Sequence, residues 1–376
     1  MDLIGDVLPE TSKAIESGIE RGLHTGLQLY ASRGGKAVAD TGFGESSPGV
    51  EMTSQTIMMW LSAGKPLTAV AILQLVEQGS LELDGRIVEW IPKFAAGGKD
   101  QIRLHHLLTH TGGFRNVESG WPQLSWVQTI DRICESPLED DWRVGKTAGY
   151  HTTSSWYILG ELIQRVDPKG RDFSEYFREE ICEPLGMNDS WNGMPSEFWP
   201  ANRARIAEMS QLEKRHAGLL PWHDAEHCLA ASPGANSRGP VHDLGRFYEC
   251  LLAGGELNGR RILSEESVEL LTTRHREGLY DQTLFHKVDF GLGVIVDSNR
   301  YGVDTVPYGF SPYCSEQTFG HGGSQSSIGF ADPEVELVVC YVANCRAGEP
   351  RHQKRNREIV SAIYRDLGLA DHSGPG

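Results

Sequence analysis

The spacing of apolar residues along the chain predicts a helix first and then two short strands. Apolar positions recur at helical spacing over residues 12–22, and two β-rich runs follow at 27–30 and 37–39. Gly34-Gly35 lies between the two runs, a pair typical of a tight hairpin. From Ser62 to about Ala231 the pattern is mostly helical. A helix and two sheet-forming segments therefore precede a long helical region.

Strand patterns return in the last third of the sequence. They occupy residues 290–296, 326–330 and 337–342, and a helical pattern covers 353–367. This order predicts an α/β (α+β) protein with an antiparallel sheet built from both chain ends and flanked by helices. An all-α domain is inserted between the two sets of strands.

The same order predicts where the domains divide. Residues 1–80 and 235–376 are assigned to the sheet domain, and residues 81–234 to the helical domain. A cleft is expected where the two domains meet. The short tail after Asp371 is the one low-complexity candidate.

Composition narrows the classes of function. The 376 residues are 39% hydrophobic and 23% charged, as in an ordinary globular protein. Lys and Arg total 35 against 51 Asp and Glu, and the net charge of −16 argues against nucleic acid or an anionic membrane as partner. We attribute this charge to a solvated acidic surface, with a preference for cationic substrates as the alternative.

Two features bear on the compartment. The first nine residues lack the basic start and apolar core of a signal peptide, and no apolar run approaches the ~20 residues that span a bilayer. Seven cysteines form an odd number without a regular framework, which favours a reducing environment. The expected location is the cytoplasm.

The candidate chemistry begins at Ser62-Ala63-Gly64-Lys65. A serine one helical turn before a lysine, between apolar stretches, places a hydroxyl and an amine on one helix face. Near pH 7 a serine hydroxyl needs a neighbour that takes its proton. A buried lysine with a lowered pKa can be that neighbour. The alternative is a plain helix whose lysine extends to solvent.

Two later motifs supply further candidates. Tyr150 stands in Ala148-Gly149-Tyr150-His151-Thr152, and His321-Gly322-Gly323 precedes Ser324. Taken alone, Tyr150 is explained as a surface tyrosine after a turn. The glycine pair is likewise explained by relief of crowding at the start of a strand.

The three motifs in this order resemble those of the serine β-lactamase and penicillin-binding protein superfamily. The resemblance runs from about Gly26 to about Asn344 and is strongest to the branch of class C β-lactamases, family VIII esterases, D-aminopeptidases and related acyltransferases. It implies that superfamily's fold, with the active site at the domain junction.

The resemblance also implies roles for individual residues. Ser62 would be the nucleophile, with Lys65 and Tyr150 sharing the proton network that activates it. His321 would assist proton transfer to the leaving group. The backbone amides of Ser62 and Ser324 would form the oxyanion hole.

Departures from the family's pattern place the substrate class in doubt. Thr152 stands where asparagine is usual, and the stretch from Tyr150 to Gly160 is one residue longer than the common spacing. The segment 281–317, which contains Tyr301, Tyr308, Phe310 and Tyr313, is expected to border the cleft. The expected substrate-binding residues are Thr152, Gly322, Gly323 and Tyr308.

The expected activity is that of a serine hydrolase forming an acyl-enzyme at Ser62, with a carboxylic ester as first choice of substrate. Histidine in the third motif and a cytoplasmic address favour an ester over a β-lactam. The alternatives are a D-residue peptidase or amidase, an acyltransferase or peptide-cyclising thioesterase, and a non-catalytic ligand-binding relative. The expected partner is a small-molecule ester, amide or peptide, without nucleic acid, membrane or cofactor.

One histidine pattern suggests a metal. His223-Asp224-Ala225-Glu226-His227 matches His-x-x-Glu-His, which some zinc peptidases use. Pro221 just before it and the Ser-Pro-Gly run at 232–234 leave little room for the helix that such a site requires. A solvated loop is therefore favoured, and no metal is expected. His105, His106 and His110 are assigned to packing and capping.

Overall fold

Eight antiparallel strands from the two ends of the chain form one sheet. The computed structural model describes residues 4–212 and 217–370. The strands are β1 (Gly26–Arg33), β2 (Lys36–Ser47), β3 (Val50–Glu51), β4 (Asp289–Phe290), β5 (Ile295–Val296), β6 (Phe319–Gly323), β7 (Ser327–Asp332) and β8 (Leu337–Ala343). Their order across the sheet is β4-β5-β6-β7-β8-β1-β2-β3. The β1–β8 pair, in which Leu29 lies opposite Tyr341, joins the early strands to the late ones.

Helices cover both faces of this sheet and fill the long connection from β3 to β4. Within the described residues the helices of eight or more residues are α1 (Pro9–Glu20), α2 (Lys65–Glu77), α3 (Trp126–Glu135), α4 (Ser154–Val166), α5 (Val241–Leu252), α6 (Glu265–Thr272) and α7 (Glu349–Asp366). Helices α1 and α7 pack on each other, α5 packs against β1, β7 and β8, and α2 packs against α4 and α6. The predicted architecture is confirmed.

Short elements complete the connections. The shorter α-helices are Ile4–Val7, Leu104–Leu108, Phe173–Tyr176, Trp199–Asn202 and Ala225–Leu229, and a π-helix covers Phe177–Cys182. Tight 3-10 turns occupy Leu61–Gly64, Ile87–Glu89, Pro92–Gly98, Arg203–Arg205, Pro221–His223 and Asn299–Tyr301. Small strands outside the main sheet are Met58–Met59, Trp191–Asn192, Met209–Gln211, Gly218–Leu220, Ser237–Gly239, Glu256–Leu257, Arg260–Arg261, Tyr280–Asp281, His286–Lys287 and Cys345–Arg346.

The core lies on both sides of the sheet because side chains alternate along each strand. In β1, Leu27 and Leu29 belong to the cluster under α1 and α7, whereas Tyr30 belongs to the cluster under α5. The ring of Tyr30 fills the space where Gly245 of α5 has no side chain, since a Cβ there would lie 2.2 Å from the ring. Both faces of the central strands are thus buried, which fixes their register.

Local details depart from the predicted elements at two places. The predicted strand 290–296 is two strands, β4 and β5, because Gly293 turns the chain with φ +80°. The helix expected to contain Ser62 begins only at Lys65, after a 3-10 turn over Leu61–Gly64. The predicted hairpin at Gly34-Gly35 is confirmed, with φ of 55° and 70°. The tail after Asp371 lies outside the described residues.

Two structural findings bear on the compartment and on membranes. Within residues 4–212 and 217–370, every helix is too short or too polar to cross a lipid bilayer. All seven cysteines carry free thiols, and six of them are buried.

Candidate active site

Ser62 lies on a tight turn fixed to the main sheet. The Trp60 carbonyl accepts a hydrogen bond of 2.6 Å from Ser327 Oγ, and the Trp60 amide donates one of 2.8 Å to the Ser237 carbonyl. Leu61 takes φ 53°, a left-handed conformation that a bulky residue adopts only when the surroundings impose it. The turn therefore holds Ser62 in one position before α2 begins.

Glycines allow this turn to lie directly against its neighbours. A Cβ at Gly323 of β6 would lie 2.5 Å from the Trp60 carbonyl oxygen, and one at Gly64 would lie 2.5 Å from the Ser237 Cβ. Any larger residue at either place would push the turn away from the sheet. Gly323, one of the expected substrate contacts, thus faces the turn rather than open space.

Lys65 is fully buried and contacts only uncharged groups through its amine. Its Nζ lies 3.0 Å from Ser62 Oγ, 2.8 Å from the Thr152 carbonyl oxygen and 2.5 Å from the Gly234 carbonyl oxygen. Because no carboxylate offsets the loss of hydration, burial lowers the pKa of Lys65 well below its usual range. In its neutral form this amine can accept the proton of Ser62.

The contact between Thr152 and the lysine comes from the backbone. The Thr152 side chain is exposed, and it is the residue's carbonyl that binds Lys65 Nζ. A threonine in place of the usual asparagine therefore leaves this hydrogen bond intact. Gly234, the third partner of Lys65, was not predicted as a site residue, and only the preceding Ser-Pro signals a turn there.

The hydroxyl of Tyr150 is buried beside the serine. It makes no hydrogen bond of regular geometry with the described residues. Burial raises the pKa of Tyr150 above its usual range, the Ser62 hydroxyl acts in the opposite direction through hydrogen bonding, and the charge of Asp281 adds to the rise. Lys65 Nζ lies 5.3 Å from the centre of the Tyr150 ring. Tyr150 is thus a neutral phenol next to both the serine and the lysine.

Two residues that sequence reasoning did not place in the site hold the backbone around Tyr150. The Gly149 amide donates to the His110 carbonyl at 3.1 Å, and the His151 amide donates to His110 Nδ1 at 3.0 Å. The Tyr150 amide between them donates to Asp281 Oδ1 at 3.0 Å. All three amides of this loop are therefore fixed, and the His110 ring packs 4.5 Å from that of Tyr150, centre to centre.

A buried ion pair supports Asp281 in turn. Arg276 Nη1 lies 3.0 Å from Asp281 Oδ2, with both side chains almost fully buried. Removing one partner would leave the other charge buried and unpaired. Asp281 lies 131 residues from Tyr150, and no sequence pattern links the two.

His321 is a neutral imidazole near Tyr150. Burial and, as a smaller cause, the nearby Lys65 together lower the pKa of His321 to about 3. Its Nδ1 donates to the Gly322 carbonyl at 2.7 Å, which leaves Nε2 as an acceptor. That Nε2 is buried without a partner among the described residues. The rings of His321 and Tyr150 lie 5.8 Å apart, centre to centre.

These side chains open into a cavity of about 520 Å³. Its walls include the predicted residues Ser62, Tyr150, Thr152, Tyr308, His321, Gly322 and Ser324, but not Gly323. The ring of Tyr308 covers Gly322, where a Cβ would lie 2.3 Å from it. Other lining residues are Thr283, Leu284, Phe285, Ile295, Pro307, Glu349, Pro350 and Gln353.

The other aromatic residues of segment 281–317 lie away from this wall. The hydroxyl of Tyr301 donates to Asp289, Phe310 packs on Phe330, and Tyr313 packs near Tyr364. Of the four aromatics predicted to border the cleft, Tyr308 alone lines the cavity.

The histidine pattern considered for zinc does not form a ligand set. His223 ends a 3-10 turn, while His227 lies in the five-residue helix Ala225–Leu229, so the two do not share one helix. In the described part of the chain, no three His, Cys, Asp or Glu side chains lie close enough together to hold a metal ion.

Comparison with known proteins decides the family. The family model described as Beta-lactamase matches residues 12–363, nearly the whole chain. The chain belongs to the β-lactamase family. It is a serine hydrolase of the β-lactamase type, as its motifs predict.

Relatives in this family are named for different activities. The esterase/β-lactamase LipL of Mycobacterium tuberculosis is 27% identical over 338 residues, covering 82% of this chain and 75% of that protein. A putative D-alanyl-D-alanine carboxypeptidase of Escherichia coli is 25% identical over 308 residues, covering 74% and 66%. The structure of a penicillin-binding protein homologue from Caulobacter crescentus has a TM-score of 0.76 at 27% identity, covering 96% of this chain and 98% of that one.

Proposed function

We propose that this β-lactamase-family protein hydrolyses carboxylic esters through an acyl-enzyme at Ser62. The observation that carries the proposal is the 3.0 Å contact between Ser62 Oγ and an amine buried without a counter-charge, at the wall of a cavity of about 520 Å³. Burial makes Lys65 a usable base near neutral pH, and the cavity gives a substrate access to the hydroxyl.

Acylation begins with transfer of the Ser62 hydroxyl proton to neutral Lys65. The serine oxygen then forms a bond to the ester carbonyl carbon, whose oxygen becomes an anion. The amides of Ser62 and Ser324 are the proposed donors to this oxyanion, and donors so placed contribute about 3–4 kcal/mol each to the transition state.

Collapse of this intermediate requires a proton for the departing alkoxide. The Tyr150 hydroxyl donates it, and the protonated Lys65 replaces the proton on Tyr150. Water then attacks the acyl carbon and gives a proton to the same network. The bond between that carbon and Ser62 Oγ breaks, the network returns the proton to Ser62, and the carboxylic acid leaves with Lys65 neutral again. The unpartnered Nε2 of His321 accepts a hydrogen bond from Tyr150 or from this water.

Three features favour an ester over an anionic β-lactam. Leu284, Ile295 and Pro307 give the cavity an apolar wall. His321, which stays uncharged, occupies the motif position where β-lactamases usually carry lysine. The free thiols support a cytoplasmic location, away from the compartment in which resistance enzymes act.

A D-residue peptidase is the second candidate, because a relative of 25% identity is named a putative D-alanyl-D-alanine carboxypeptidase. An acyltransferase differs only in the acceptor that replaces water. Comparing water with alcohol and amine acceptors separates hydrolysis from transfer.

The test is hydrolysis of short and medium p-nitrophenyl esters by the wild type and by Ser62→Ala. We expect the variant to lose at least about 100-fold in kcat/KM, as for removal of a nucleophile. A fluorophosphonate should label the wild type and not the variant, while the exposed Ser196→Ala serves as control. Turnover without dependence on Ser62 would contradict the proposal, and faster cleavage of a cephalosporin would reassign the substrate.

A further inference from the structure

The cavity carries a single formal charge on its wall. Among the described residues that line it, Glu349 is the one carboxylate, and no lysine or arginine is present. His321, also on the wall, is neutral because burial lowers its pKa to about 3. A charged substrate group that enters this cavity therefore meets a negative charge and no positive one.

Glu349 is held in place rather than free to swing into solvent. The Tyr308 hydroxyl donates to both carboxylate oxygens, at 2.9 and 3.1 Å. The same hydroxyl accepts from the Gln325 amide at 3.3 Å, and Gln353 Nε2 approaches Glu349 at 3.4 Å. Since the Tyr308 ring packs on Gly322, this network ties the carboxylate to the strand that carries His321.

Exposure shows how the cavity is oriented. Ser62 and His321 are buried, whereas Glu349 and Phe285 are exposed, the latter by 75%. The nucleophile thus lies on the buried part of the wall and the carboxylate on the exposed part, and the same wall includes the apolar Leu284, Ile295 and Pro307. Glu349 also opens α7, where the helix dipole favours a negative charge.

Two arginines contact lining residues without lining the cavity themselves. Arg115 Nη1 donates to Thr283 Oγ1 at 2.9 Å, and Arg346 contacts Ser324. The Arg346 Nη2 donates to Ser324 Oγ at 3.1 Å and its Nη1 to Gln211 Oε1 at 2.8 Å, and its guanidinium carbon lies 5.7 Å from the centre of a Trp222 ring. These contacts keep the guanidinium behind Ser324 and outside the cavity lining.

We propose that the cavity selects substrates carrying an ammonium group at the end of a short apolar segment, with Glu349 as the anionic contact at the mouth. This inference rests on the ester hydrolysis proposed above and names its substrate class. The aromatic rings of Phe285 and Tyr308 add a favourable surface for a cation. The net charge of −16 attracts cations toward the protein and repels carboxylates.

The experiment compares isosteric esters that differ only in charge. One pair places trimethylammonium or tert-butyl at the end of the acyl group of a p-nitrophenyl ester. The other pair, butyrylcholine and 3,3-dimethylbutyl butyrate, places the same two groups on the alcohol. A p-nitrophenyl ester ending in a carboxylate completes the set. The wild type should favour the cation by about fivefold in kcat/KM in one of the two pairs, which also identifies the side of the ester that enters the cavity.

Glu349→Gln removes the charge but keeps an acceptor for Tyr308. In this variant the ratio of kcat/KM for the cationic ester to kcat/KM for the neutral ester should therefore fall to about one. Glu358→Gln, on the same helix but paired with Arg21, should keep the wild-type ratio. A ratio near one in the wild type, an unchanged ratio in Glu349→Gln, or a preference for the carboxylate would overturn the inference.

The charge effect can be separated from ester hydrolysis itself. The rate of Ser62 labelling by trimethylammonium and tert-butyl fluorophosphonates measures the same preference without any ester. A labelling preference that depends on Glu349, with no ester turnover, would sustain the inference and refute ester hydrolysis. Absence of labelling by both reagents would refute both.

Discussion

Among the lysines that the structure describes, Lys65 and Lys99 are fully buried, and their amines differ in that a hydroxyl replaces one of three carbonyl partners. Lys65 Nζ contacts two carbonyl oxygens and the Ser62 hydroxyl, and lies 5.1 Å from the centre of the Trp156 ring. Lys99 Nζ donates to three carbonyls, of Ala96, Cys134 and Ser136, and lies 5.4 Å from the centre of the Phe94 ring. Burial lowers the pKa of both amines.

The comparison shows when a buried lysine can act as a base and when it only stabilises the fold. A carbonyl has no proton to give, so Lys99 can only satisfy the loop that surrounds it. Ser62 has a proton and lines a cavity, so the same kind of amine becomes a base. Burial alone therefore does not identify the site, whereas a proton-bearing neighbour on a cavity wall does.

Replacement of the first lysine should give the largest effect. Lys65→Met should lower kcat/KM for p-nitrophenyl esters by at least about 100-fold, because Ser62 loses its base. The double variant with Ser62→Ala should be no slower than Ser62→Ala alone, since the two residues act as one unit. Retention of more than a tenth of wild-type activity by a folded Lys65→Met would contradict the assignment of Lys65, and not Lys99, as a base.

Replacement of the second lysine should affect stability instead. Lys99→Met removes the donor of one buried and two partly buried hydrogen bonds and should reduce the free energy of unfolding by about 2–4 kcal/mol, measured by denaturant titration. At a temperature where the variant is folded, kcat/KM should stay within about twofold of wild type, since distant sites act independently. An activity loss like that of Lys65→Met would contradict the assignment of a purely stabilising role to Lys99.

The burial of His321, near Lys65, can be tested through the pH dependence of the free energy of unfolding. The pKa of His321 is about 3 in the folded protein and near 6.5 in the unfolded chain, so the unfolded chain binds the proton first as pH falls. The stability from His321 is complete above pH 6.5 and is lost on acidification toward pH 3. His321→Asn should make the drop in unfolding free energy between pH 6.5 and 5 smaller by about 1.5 kcal/mol. The exposed His275→Asn is the control, and an equal change there would contradict the prediction.

The loop opposite Lys65 gives the smallest expected effect. His110→Leu removes the acceptor for the His151 amide and should lower kcat about tenfold while leaving KM unchanged, because Tyr150 shifts from its position. His110→Asn keeps an acceptor near Nδ1, tolerates the φ of 58°, and should restore most of the rate. Equal losses in both variants would assign the effect to ring packing instead of positioning.

Sequence reasoning succeeded where the signal was local. The spacing of Ser62 and Lys65 within one turn was enough to bring their side chains together, although the turn is 3-10 at the serine. The resemblance added Tyr150 and His321, and the structure places Tyr150 beside the serine and His321 on the wall of the same cavity. Their catalytic roles remain predictions, as do the domain boundaries at 80/81 and 234/235.

Contacts made across the fold could not be predicted. The carboxylate of Asp281 reaches the Tyr150 amide from 131 positions away, and Glu349 meets Tyr308 only because α7 packs beside the cavity. Thr152 departs from the usual asparagine in its side chain, whereas the lysine uses that residue's carbonyl. Such contacts depend on backbone atoms and tertiary packing, and no characteristic spacing of residues in the sequence indicates them.

The pairing of β1 with β8 has a consequence for the newly made protein. Leu29 emerges from the ribosome more than 300 residues before Tyr341, its opposite in the sheet. Contacts so distant in sequence form late, after the elements between them. The strands that back the Ser62 turn, β6 and β7, are also translated more than 250 residues after Ser62. A nascent or truncated chain ending before His321 would therefore hold its nucleophile without these strands, and hydrolysis would begin only after they have been made.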